Sequence, residues 1–155
     1  MMRDAVCRIN DEVDGCGQGF CGDSTIEMKK KKRALIIVDH GSVLDEANDM
    51  LVQVMQMLRE DDECDFEIVH YSHMELAEPT IAQAFDACVA DGADEIIVHP
   101  YFLFPGKHST QDIPNLVREA ARKHPQVSYR VTAPLGIHDK IVKVVLERTN
   151  GDGPD

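Results

Sequence analysis

Apolar residues along this chain fall into two alternating textures, short continuous runs and longer stretches that repeat every three or four positions. The first run, Ala34-Leu35-Ile36-Ile37-Val38, is rich in branched side chains and reads as a strand buried on both faces. Over Asp45 to Arg59, with Leu44 just before it, Ala47, Met50, Leu51, Val54, Met55 and Leu58 recur at helical spacing. Acidic residues at its start suit the positive end of a helix dipole. Phe66 to Ser72 predicts a second strand. After Pro79, the stretch Thr80 to Asp91 sets Ile81, Ala84, Phe85, Cys88 and Val89 on one helical face, and Gly92 ends it.

Glu95 to His99 predicts a third buried strand, followed by a loop containing Pro and Gly from Pro100 to about Ile113. Pro114 then stands at a helix start, with Leu116, Val117, Ala120 and Ala121 on the apolar side until His124-Pro125. A strand over Val127 to Ala133 and a helix over Ile137 to Arg148 complete the series. Strand and helix alternate four times with short connections, which demands parallel strands. The expected fold is a three-layer α/β domain with a four-stranded parallel sheet in the order 2-1-3-4, a flavodoxin-like arrangement. Its bounds are 34–150, with a flexible extension over 1–33 and a disordered tail over 151–155.

Composition narrows the function. A chain of 155 residues with 43% apolar content suits one domain with a sizeable core. Its formal net charge of -12 argues against nucleic acid, since phosphate binding needs a basic stripe. The basic run Lys29 to Arg33 reads as a solvated entry to the first strand. No apolar run approaches the ~18–20 residues that cross a bilayer, and the N-terminus has no apolar signal core. Asp4, Asp11, Glu12 and Asp14 are wrong for an organelle transit peptide. Five cysteines, an odd number with only Cys64 and Cys88 in the folded part, do not form a secreted disulfide framework. The expectation is a soluble protein of a reducing compartment, the cytoplasm, or the plastid stroma if the source is a photosynthetic eukaryote.

In open parallel sheets ligands bind beyond the carboxyl ends of the strands, where the strand order reverses. For the order 2-1-3-4 that crevice lies between strands 1 and 3. His40 closes strand 1, and His108 lies in the loop after strand 3, so two imidazoles from remote stretches converge on one crevice. Glu75, just after strand 2, projects a carboxylate towards the same rim. Neutral imidazole binds borderline divalent metals and takes up protons near neutral pH. His70 and His73 fall on opposite faces of an extended segment and share no metal. His99 is expected to be buried, His124 to meet the negative end of a helix dipole, and His138 to open the last helix. There is no Gly-x-Ser-x-Gly elbow, Gly-x-Gly-x-x-Gly or phosphate loop. Cys7, Cys16 and Cys21 lack the complete set of a cluster site.

His40-Gly41-Ser42, His73-Met74-Glu75-Leu76-Ala77-Glu78-Pro79 and Pro100-Tyr101-Phe102-Leu103-Phe104-Pro105-Gly106-Lys107-His108 resemble the short CbiX/SirB-type sirohydrochlorin chelatases. The likeness continues through Gln111-Asp112-Ile113-Pro114 and Ala133-Pro134-Leu135-Gly136, in order, from about Ala34 to Arg148. The wording of the second and third segments is nearest to the plant-type ferrochelatases, so the resemblance implies iron before cobalt or nickel. It further implies a class II chelatase fold, metal binding by His40 and His108, and proton acceptance by His40. A substrate-site carboxylate falls on Glu75, and the substrate loop on Leu103, Phe104, Pro105, Gly106, Lys107 and His108. A homodimer is implied as well.

Two departures stand out. Val43 replaces a basic residue common after His-Gly-Ser, and no cysteine occurs between Asn150 and Asp155 to match a plant cluster-binding extension. No permanently bound cofactor is therefore expected; the metal, Fe(II) or else Co(II) or Ni(II), is a substrate beside sirohydrochlorin. Neither nucleic acid nor membrane is expected as a partner. A polycarboxylate macrocycle on an acidic chain needs positive potential, for which Lys107 and helix-start N–H groups are the candidates. A carrier of metal or tetrapyrrole without turnover is the rival of another class.

Overall fold

The strands are β1 (Arg33–Asp39), β2 (Ile68–His73), β3 (Glu95–Pro100) and β4 (Ser128–Val131). They alternate with helices α1 (Asp45–Glu60), α2 (Ile81–Ala90), α3 (Ile113–Ala121) and α4 (Asp139–Asn150). This computed structural model describes residues 30–151. Most of the expected N-terminal extension, and the tail beyond Gly151, lie outside the described residues. All strand pairs are parallel and the order is β2-β1-β3-β4, as the pattern predicts.

β1 lies inside the sheet and is apolar on both faces, with Leu35 and Ile37 pointing one way and Ala34, Ile36 and Val38 the other. On the second side, Ile96 and Val98 of β3 join them beneath Phe85 and Cys88 of α2 and Val117 and Ala120 of α3. Phe85 is wholly buried there, a burial that stabilises the domain by about 1.5–3 kcal/mol. α2 starts on a reciprocal cap, in which Thr80 Oγ1 accepts the Gln83 N–H and Gln83 Oε1 accepts the Thr80 N–H. On the first side, Leu51 and Met55 of α1 cover Leu35, Ile37, Val69 and Ile97.

Several expectations need correction. β2 begins at Ile68 rather than Phe66, because the Glu67 side chain accepts the Arg33 backbone N–H and Phe66 instead lies under the Arg33 guanidinium. β4 stops at Val131 instead of Ala133. The loop expected over 100–113 contains a π-helical turn, His108–Asp112, that runs directly into α3. The last helix does not complete the third layer: no residue of α4 is buried, and Val142, Val144, Val145 and Leu146 are exposed. Helical periodicity records an apolar face; it does not say which surface covers it.

Candidate functional site

β1 and β3 end side by side, with Val38 in register with Pro100 and the Tyr101 N–H donated to the Val38 carbonyl at 2.6 Å. His40 follows β1 at once. His108 reaches the same place because its turn is wound around one carbonyl. Gly106 O accepts the Thr110 N–H at 3.0 Å and the Thr110 hydroxyl at 2.8 Å, while Ser109 Oγ accepts the Gly106 N–H at 3.0 Å. The two imidazole rings stand edge to face with centroids 5.4 Å apart. A divalent metal sits about 2.0–2.1 Å from a ligating imidazole nitrogen, so one ion can be shared between rings this close.

Glu75 joins them through the backbone. Beyond the β1–β2 pairing, the Met74 N–H donates to Asp39 O at 2.9 Å and the Glu75 N–H to His40 O at 3.3 Å. Glu75 Oε2 then lies 3.7 Å from His40 Nε2. That separation is too long for a hydrogen bond, so the carboxylate faces the ring without being bonded to it. His108 Nδ1 lies 3.0 Å from Asp112 Oδ2, which fixes the ring and leaves Nε2 free to ligate. The side chains of His40, Glu75 and His108 are 41%, 55% and 46% exposed, so the site is an open rim accessible to a large flat ligand. Among the described residues no group of three or more His, Cys, Asp or Glu side chains is arranged to hold a metal. Two imidazoles alone are an incomplete ligand set.

The predicted substrate loop divides. Phe102 packs against the core, whereas Leu103, Phe104, Pro105, Gly106 and Lys107 are exposed beside His108. The loop is anchored from behind, where Phe102 O and Leu103 O accept the Leu135 and Gly136 N–H groups at 2.9 and 2.8 Å. At its apolar tip, Lys107 is the cation. α1 begins without a side-chain cap, but Asp45 and Glu46 occupy its first turn, which offsets the positive potential expected there.

The other histidines serve elsewhere. His70 Nε2 lies 2.8 Å from Asp91 Oδ2, and His99 Nδ1 lies 2.7 Å from Thr132 Oγ1, with burial holding its pKa below the ordinary value. His138 caps α4 as expected, its Nδ1 accepting the Lys140 N–H at 3.1 Å. His124 does not spend itself on a helix dipole; it stacks on Phe85 and meets Asp86 Oδ1 at 2.6 Å. A cavity of about 490 Å³ around Lys32, Arg59, Glu67 and His70 surrounds the start of β2 and does not touch the histidine pair. Sequence reasoning missed Asp112 and the contact between Asp39 and His73. The first pairs with His108 at i,i+4 in a segment that looked like loop, and the second needs the register of two strands.

A model of the CbiX family matches residues 34–151. The chain is 47% identical over 114 residues to the chloroplastic sirohydrochlorin ferrochelatase of Arabidopsis thaliana, covering 74% of this chain and 50% of that protein. It is 33% identical to the sirohydrochlorin cobaltochelatase of Methanocaldococcus jannaschii, covering 76% of this chain and 98% of that one. Its fold matches a crystal structure of the sirohydrochlorin chelatase SirB from Bacillus subtilis subspecies spizizenii in complex with cobalt. There the TM-score is 0.71 at 32% identity, over 76% of this chain and 50% of that one. The chain thus spans about half the length of the Arabidopsis and Bacillus proteins and nearly all of the archaeal one.

Proposed function

Because the chain belongs to the CbiX family, we propose that it inserts a divalent metal, ferrous iron by preference, into sirohydrochlorin to make siroheme. The observation that carries this reading is the 5.4 Å approach of the His40 and His108 rings at the reversal point of the sheet. Insertion must strip water from the ion and remove two pyrrole protons. His40 accepts protons and, with His108, holds the ion in transit; Glu75 draws the cation in or guides the departing protons. Leu103 and Phe104 offer apolar contact to a flat macrocycle, and Lys107 a cation to its carboxylates. Ligation that stays short of a closed set lets the metal pass on.

The plant relative named a ferrochelatase supports iron, at 47% identity; the archaeal cobaltochelatase supports cobalt as the alternative, at 33%. The test is an anaerobic absorption assay with sirohydrochlorin and ferrous, cobaltous or nickel ions in turn. The fastest rate is expected with iron, and loss of turnover in His40→Ala and His108→Ala. Wild-type rates in both variants would overturn the catalytic assignment. A spectrum that stays metal-free with every ion would leave a carrier. We place the protein in a reducing compartment, the cytoplasm or, in common with the Arabidopsis relative, the plastid. Among the described residues no helix is long and apolar enough to cross a membrane.

A homodimer belongs to the same proposal. The apolar side of α4 has no partner among the described residues. A groove of about 240 Å³ beside α1, lined by Met50, Val54, Met57 and Tyr101, is equally uncovered. Two copies that exchange α4 cover both surfaces. Light scattering is expected to give twice the chain mass, falling to one chain mass in Val145→Asp; a wild-type monomer at micromolar concentration would refute the assignment.

A further inference from the structure

We propose that the buried His73 and the partly exposed Asp39, paired beneath the rim, form a positioning device that sets His40 against Glu75 and so tunes the metal affinity of the histidine pair. The proposal rests on the chelatase reading of His40 and His108 and adds two residues to it. Asp39 and His73 are the last partners in the β1–β2 register, the point at which the chains diverge towards His40 and Glu75. His73 is 1% exposed, and its Nδ1 lies 2.6 Å from Asp39 Oδ1. The same carboxylate oxygen accepts the Gly41 N–H at 2.9 Å. One atom therefore clamps the residue after His40 and the residue two before Glu75.

Stability does not explain why a polar pair sits there. Burying the His73 ring against a carboxylate costs about as much as the attraction returns, and an apolar side chain in place of His73 would serve the sheet as well. The ring is also incompletely satisfied: Nε2 of His73 is buried without a hydrogen-bond partner. Among the described residues Asp39 is thus the one group that orients the ring by a hydrogen bond. What the pair does supply is direction. Holding the Gly41 N–H sets the turn at φ +80° that aims His40, and holding His73 keeps the Met74 and Glu75 N–H groups on the carbonyls of Asp39 and His40. Groups that orient metal ligands in this way change affinity or activity roughly 10–100-fold when removed.

The experiment uses cobaltous ion alone as the probe, titrated by absorption into the full chain and into His73→Phe, Asp39→Asn, His40→Ala and His108→Ala. His73→Phe keeps an aromatic ring, somewhat larger than the imidazole, so its melting temperature is expected to stay near the parent's, while Co(II) binding weakens roughly 10–100-fold. Asp39→Asn keeps shape and serves where the first variant fails to fold. In turnover, kcat is expected to fall with KM for sirohydrochlorin unchanged, because the Leu103–Lys107 loop is untouched. Adding His73→Phe to His40→Ala is expected to cause no further loss of affinity, since nothing remains to be aimed. Parent-like Co(II) affinity in both His73→Phe and Asp39→Asn overturns the proposal if His40→Ala and His108→Ala lose binding. If those two also bind as the parent does, the metal-site reading itself fails.

Discussion

Gly41 is where the fold and the proposed chemistry meet most closely, and Gly41→Ala measures both. Its φ of +80° lies in the left-handed region, where an L side chain costs about 1–2 kcal/mol. A Cβ built there would lie 3.0 Å from the His73 Cβ and 3.3 Å from the backbone nitrogens of Leu76 and Ala77. None of these is the free end of a flexible side chain, so the neighbours must shift by a few tenths of an ångström, an overpacking cost of about 1–3 kcal/mol. Together the terms predict a loss of about 2–5 kcal/mol, which a domain of ordinary stability, about 5–15 kcal/mol, survives. An activity loss is expected in the folded fraction beyond the loss of stability, because the strain falls between the segments bearing His40 and Glu75. Small displacements of reacting groups cost up to about 100-fold. The assay is urea denaturation followed by insertion rates corrected to the folded fraction. Gly106→Ala is the control: its added Cβ meets nothing within 4 Å, so its stability is expected within about 0.5 kcal/mol of the parent's. Any effect of Gly106→Ala belongs in KM for the macrocycle. Equal stability losses in the two variants, or none in Gly41→Ala, would refute the reasoning.

Two further outcomes follow from buried titratable groups. Burial holds His99 below its ordinary value of 6.5, so the unfolded chain takes up this proton more readily than the folded one. Its contribution to stability is complete above that value and is lost as pH falls through the folded value. His99→Gln is expected to flatten the pH dependence of the denaturation midpoint below 6.5, and an unchanged slope would exclude His99 as its source. Cys88 is pushed up to about 12, by burial first and then by the charge of Asp91. Iodoacetamide at pH 8 is therefore expected to label the half-buried Cys64 in the native protein and Cys88 only after unfolding, as read by peptide mass mapping. Labelling of native Cys88 at the rate of Cys64 would contradict that picture.

Much of the fold was legible in the chain because its signals are local. Apolar continuity from Ala34 to Val38 and helical spacing from Asp45 onwards depend on neighbours in sequence, and alternation with short connections demands a parallel sheet. The meeting of the two histidines was legible for a related reason. Residues just beyond β1 and β3 must meet wherever the strand order reverses, so His40 and His108 could be paired before their rings were seen 5.4 Å apart. Hidden from that reading were features set by contacts between remote segments. The π-helical turn at His108–Asp112 depends on how Gly106, Ser109 and Thr110 share hydrogen bonds, and the Asp39–His73 contact on a register between strands.

The sequence by itself determined which segments are strands and helices, their parallel order, and the identity of the two imidazoles, because periodicity and chain connectivity leave few alternatives. Only the tertiary structure decided that Asp112 backs His108, that one oxygen of Asp39 holds both Gly41 and His73, and that the apolar side of α4 finds no cover on its own sheet. The reason is physical. A pattern records that a side chain is to be buried or bonded, whereas the partner that buries or bonds it is chosen by packing in three dimensions.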